Sequence, residues 1–95
     1  MGDHERTARF RGARRDPGLT VLEGFHALKH ALRFGAELLE AVAVDPERLE
    51  ELAGELAPDL AGELSGRVEA VDAGRLAELV PQAPPTGVVA IARRP

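Results

Sequence analysis

The stretch Leu19-Thr-Val-Leu-Glu-Gly-Phe-His-Ala-Leu-Lys-His-Ala-Leu-Arg-Phe-Gly-Ala36 decides how the whole chain is read. Four β-favouring residues, Leu19 to Leu22, run into Glu23-Gly24, after which the apolar spacing changes from strand-like to helical. This predicts a strand, a tight turn and a helix. Along the helix, Phe25, Leu28 and Leu32, with Ala27 and Ala31 beside them, make a face that packs on a sheet. Gly35 is suited to end it, because a residue without Cβ enters the left-handed conformation at little cost. The opposite face carries His26, Lys29, His30 and Arg33 at i, i+3, i+4 and i+7, so four groups that are or can become cationic form one stripe. Such a stripe suits phosphates.

Downstream, Leu38 to Val44 is a nearly continuous apolar run, as expected of a strand covered on both faces. Asp45-Pro46-Glu47 then supplies an N-cap, a proline for the first helical position and an acid for the first turn. In the helix that follows, Leu49, Leu52, Ala53 and Leu56 face inward, while Glu47, Glu50, Glu51 and Glu55 face water. Pro58 interrupts it, Leu60 and Leu64 allow another turn, and Ser65-Gly66 ends that. Val68 to Val71 reads as a short strand, Asp72 as a cap, Arg75 to Val80 as a short helix, Pro81 to Gly87 as a rigid loop and Val88 to Ile91 as the last strand. Strand and helix alternate about three times and the order ends on a strand. The expected fold class is α/β, one sheet covered on both sides.

Upstream, residues 1–17 hold Arg6, Arg9, Arg11, Arg14 and Arg15 and a single large apolar residue after Met1, Phe10. They are expected to form a basic flexible arm ending at the Pro17-Gly18 turn. Either it is a solvated tail, or Arg9, Arg11, Arg14 and Arg15 order on RNA phosphates, since guanidinium pairs with phosphate bidentately. Residues 18–92 form the domain, and 93–95 start an outgoing linker.

Ninety-five residues suffice for one small domain with a modest core. With three Phe and no Tyr or Trp, that core is aliphatic, and platforms for stacking bases are scarce. The absence of cysteine excludes disulfides, thiolate zinc sites and thiol nucleophiles, and is consistent with a cytoplasmic location. No apolar run approaches the ~20 residues that cross a bilayer. The net charge of −4 is unevenly split: residues 1–35 carry seven Lys and Arg against four Asp and Glu, the remainder five against twelve. A locally basic N-terminal part can therefore meet a polyanion, because screening makes charge count over ~8 Å.

His26 and His30 have the i, i+4 spacing of a metal pair, but a zinc site needs three or four ligands, and His4 lies in the arm. No metal site and no catalytic residue is assigned. Glu23, between strand and helix, suits either a structural role, as a cap or an arginine partner, or a contact to substrate. Gly24 and Gly35 form neither a G-x-G-x-x-G nor a P-loop.

The string Thr20 to Ala36, the strand ending Val44-Asp45-Pro46-Glu47, and the closing Pro84-Pro-Thr-Gly-Val-Val-Ala-Ile-Ala-Arg-Arg-Pro95 together resemble the N-terminal substrate-binding domain of SpoU/TrmH-type RNA 2′-O-ribose methyltransferases. The resemblance implies a three-layer α/β/α sandwich with a small mixed four-stranded sheet, similar to kink-turn-binding ribosomal proteins. It implies RNA as the partner, ribosomal RNA foremost, and neither DNA nor membrane. RNA contacts fall on Glu23, Gly24, His26, Lys29, His30, Arg33 and, in the loop before the last strand, Thr86, with the arm arginines adding to them. Members of the family bind S-adenosylmethionine in a knotted second domain that also dimerises. Nothing in these 95 residues matches that domain's motifs, so no cofactor is expected here, no catalytic activity is carried over, and Pro95 falls where the interdomain linker would start. Two other classes are weighed against this reading. One is a protein-interaction module that docks through the acidic helix at 46–64; the other is a small-molecule enzyme of chorismate-mutase-like topology, for which no convergent catalytic groups are visible.

Overall fold

Every residue from Val88 to Ala92 is buried, and the alternation of a strand sends Val88, Ala90 and Ala92 to one side and Val89 and Ile91 to the other. A strand apolar on both sides has to be the middle of a layered fold. The structure, a computed structural model, describes residues 2–95 and side chains from residue 4 onward. Its elements are α1 (Gly2–Arg15), β1 (Leu19–Glu23), α2 (Phe25–Arg33), β2 (Glu37–Ala43), α3 (Pro46–Leu56), α4 (Ala61–Leu64), β3 (Val68–Ala70), α5 (Ala73–Leu79) and β4 (Val88–Arg93). The strands form one four-stranded sheet in the order β1-β4-β2-β3. β4 runs antiparallel to both β1 and β2, and β3 is parallel to β2, so the sheet is mixed.

On one side, Phe25, Leu28 and Leu32 of α2, Leu49 and Ala53 of α3 and Leu64 of α4 pack with Leu22, Leu38, Ala41, Val88 and Ala90. On the other, Phe10 and Ala13 of α1 and Leu76 and Leu79 of α5 pack with Val42, Val89 and Ile91. The α/β/α sandwich implied by the sequence is therefore present. Asp45 accepts the Arg48 amide at 3.1 Å and Asp72 the Arg75 amide at 2.8 Å, which fixes the starts of α3 and α5. Gly35, at φ +91°, carries the chain out of α2.

Residues 1–17 differ from the expectation of a flexible arm. Gly2–Arg15 is helical, and Phe10 and Ala13 are buried against the sheet. The reason lies in β2. Pairing with β4 slips between Leu38 and Glu40, so that Leu38 stands opposite Ala92 and Glu40 opposite Ile91, with Leu39 left over as a bulge. Were Leu39 an ordinary ladder position, Leu38 and Glu40 would share a side. Because it is bulged out, Leu38 stays under α2 and Glu40 turns towards α1. There its carboxylate receives Arg6 Nε at 2.8 Å and Arg9 Nε at 2.7 Å, and Arg6 also reaches Glu69 of β3. Burial pushes the Glu40 carboxyl up, but the two guanidinium groups outweigh this and hold it below the usual glutamate range.

The far end also departs from expectation. Arg93, assigned to the outgoing linker, is the last residue of β4, opposite both Leu19 and Glu37.

Candidate nucleic-acid interface

Because β1, β2 and β3 point the same way, α2, α3 and α5 all begin at one end of the sheet, where the chain also enters β4. The two sequence motifs meet there. Gly24 adopts φ +103° and ψ 164°, a conformation essentially reserved for glycine, and its amide donates to Val88 O at 2.9 Å. A Cβ on Gly24 would sit 3.4 Å from both Pro84 Cβ and Thr86 Oγ1. The Thr86 hydroxyl in turn accepts the Phe25 amide at 2.9 Å, capping α2 from a loop 61 residues away. The Pro84 to Gly87 loop is itself closed by the Gly87 amide on Pro84 O at 3.0 Å. Gly24 and Thr86 are thus structural partners of each other before they are anything else.

The α2 stripe runs away from this junction. His26 and His30 are exposed, Lys29 is half-buried, and Arg33 is exposed at the helix end. Arg33 is not free: its guanidinium forks onto Asp59, between α3 and α4, at 2.9 and 3.2 Å. The pairing holds the Asp59 carboxyl below its usual range, with Lys29 adding to it through space. Both partners nevertheless remain open to water, with 42% and 56% of their side chains exposed. This end of the stripe is partly neutralised, yet it remains on the surface.

The basic residues of 1–17 divide by task. Arg9 is committed to Glu40, and Arg14 to Glu23 at 3.1 Å, so Glu23 takes the structural role of an arginine partner. Arg11 and Arg15 are exposed and make no ion pair among the described residues. They line, with Arg75 and Glu78, a shallow groove of about 570 Å³ between α1 and α5. The sheet separates this groove from α2. The expected contacts therefore divide between two surfaces: Thr86, His26, Lys29, His30 and Arg33 on one, Arg11 and Arg15 on the other, with the Arg14–Glu23 pair between them, while Gly24 itself is buried.

Sequence reasoning missed one side chain on this surface. Phe34 is 70% exposed, and its ring lies 4.5 Å from that of His30, centroid to centroid. The available signal was its position off the Phe25, Leu28, Leu32 face, immediately before the glycine that ends the helix. Among the described residues no group of three His, Asp or Glu side chains could hold a metal ion. No helix among them is long and apolar enough to cross a membrane.

The model of a family described as RNA 2′-O ribose methyltransferase substrate binding matches residues 21–95. That span includes the turn, α2 and the Thr86 loop, and leaves α1 outside. Comparison with curated proteins finds no match.

Proposed function

The chain belongs to the substrate-binding family of RNA 2′-O-ribose methyltransferases, and from that premise we propose that the outer face of α2, with the Gly24–Thr86 junction, grips ribosomal RNA for methylation. The observation that carries this is the placement of an exposed basic stripe, partly neutralised only at Arg33, directly beside the two motifs that carry the resemblance. Lys29 and Arg33 meet phosphates, His26 and His30 extend the contact, and Arg11 and Arg15 attract a second segment of backbone from across the sheet. The acidic outer residues of α3 repel RNA and so limit the footprint. With one phenylalanine ring exposed and no Tyr or Trp, recognition rests on RNA shape and backbone more than on base sequence. The choice of ribosomal RNA follows the likeness to kink-turn-binding ribosomal proteins. In this reading S-adenosylmethionine supplies the methyl group, held by residues other than these in a homodimeric cytoplasmic enzyme. The residues here bind and orient the substrate.

Binding of folded ribosomal RNA fragments, measured at two salt concentrations, tests this. Every phosphate that the protein no longer neutralises lowers the slope of log affinity against log salt by somewhat under one unit. Lys29→Glu with Arg33→Glu should weaken binding and flatten that slope. Unchanged affinity and slope would remove α2 from the interface.

A further inference from the structure

The chain has three phenylalanines. Phe10 and Phe25 are buried to 0% and 1% exposure, whereas Phe34 stands 70% in water. Nor does it sit on a loose loop. Its amide donates to the carbonyl oxygens of His30 and Ala31 at 3.2 Å each, and the Gly35 and Ala36 amides return to Leu32 and Ala31, so the last turn of α2 fixes the backbone that carries the ring. The His30 imidazole, tilted by 44°, backs part of the ring and leaves the rest uncovered. Exposing so much of a large apolar side chain gives up part of the ~1.5–3 kcal/mol its burial would contribute, and the described residues show no packing reason for it.

The chemistry around the ring narrows what would cover it. Arg33 precedes it, His30 lies one turn back and Lys29 adjoins that turn, while the carboxylates nearby are engaged: Asp59 by Arg33 and Glu37 by Arg93. An apolar protein side chain is normally received in a pocket with an apolar centre. Here a single flat ring is bordered by cations, the combination used by proteins that bind single-stranded nucleic acid, in which the ring takes a base and the cations take the adjoining phosphates. We propose that Phe34, backed by His30, is a stacking platform for an unpaired nucleobase of the RNA. The proposal rests on the α2 reading above and adds a demand to it: the RNA presents an unstacked base about 15 Å along the helix from the Gly24 turn, ten residues at 1.5 Å each.

The test uses the 95-residue chain and two RNA hairpins, one with 2-aminopurine in its loop and one with an abasic sugar at that position. Phe34→Ala and Phe34→Leu should each weaken binding of the first hairpin on the order of 5- to 150-fold, the span that corresponds to base–aromatic stacking. Phe34→Trp should retain binding and quench the 2-aminopurine fluorescence. The abasic hairpin should bind all four proteins equally weakly, with an unaltered salt slope. The proposal is overturned if wild type binds both hairpins alike, if Phe34→Leu keeps full affinity, or if Phe34→Ala leaves RNA binding intact but dissolves a dimer in sedimentation. Should Lys29→Glu weaken binding while Phe34→Ala does not, the platform fails and the α2 interface stands. Should wild type bind neither hairpin nor ribosomal RNA, both fall together.

Discussion

Replacing Phe10 with alanine asks whether α1 is part of the fold or an appendage to it. The ring is fully buried on the side of the sheet shared with Val42, Leu76, Val89 and Ile91. Truncating a buried phenylalanine costs about 3–5 kcal/mol, the lost transfer of the ring plus the cavity left behind. A chain of 95 residues has roughly 5–14 kcal/mol of total stability, so this one change should remove about a fifth of it or more and lower the melting temperature by at least about 12 °C. With no Tyr or Trp to report by fluorescence, unfolding should be followed by circular dichroism at a helical wavelength. Arg11→Ala on the same helix, at an exposed position without an ion pair among the described residues, is the control and should stay within about 0.5 kcal/mol of wild type. If Phe10→Ala also stays within that range, the ring is not holding α1 to the sheet in solution, and the flexible-arm reading returns.

Gly24→Ala puts a Cβ into a backbone region that side chains rarely tolerate and against Pro84 and Thr86, so thermal melts should show a loss of about 1–3 kcal/mol. Thr86→Val keeps the shape but leaves the Phe25 amide without its acceptor, which should cost about 1 kcal/mol in chemical denaturation and fray the first turn of α2 in amide exchange. For Glu40 the folded carboxyl titrates below its unfolded value, so its contribution is fully present above the ordinary glutamate range and is lost as pH falls through the lower folded value. Stability measured from pH 6 downward should therefore decline less steeply in Glu40→Gln than in wild type, and an identical decline would remove the Arg6–Glu40–Arg9 cluster from the account.

The strand, turn and helix at 19–36 were legible because each rests on nearest-neighbour chemistry: β-favouring residues, a glycine where φ must be positive, and an apolar face repeating at helical spacing. The same holds for Asp45-Pro46 and Asp72, whose caps lie three residues from their targets. α1 was not legible. Its apolar content amounts to Ala8, Phe10 and Ala13, too little to show a face among five arginines, and its anchor Glu40 sits in a strand that reads as apolar. A bulge decides which way Glu40 points, and period-two reasoning has no means of placing one. At the candidate site, the α2 stripe was visible from spacing alone. The commitment of Arg33 to Asp59 and of Arg14 to Glu23 was not, since pairing across 26 residues, or from a helix to a strand's far end, depends on the packed fold. Thr86 was placed by motif, but its capping of α2 emerged only with the loop in position.

Leu39 makes the most far-reaching connection in the domain. It is a single surplus residue in the middle of a strand, squeezed out of the ladder. Drawn back into the pleat, it would put Leu38 and Glu40 on one side: Glu40 would swing beneath α2 into an aliphatic interior, and two arginines near the chain's start would lose their counter-charge. Straightening the strand without shortening it would in this way undock a helix some thirty residues upstream, whereas deleting Leu39 would leave Leu38 and Glu40 as successive residues on opposite sides.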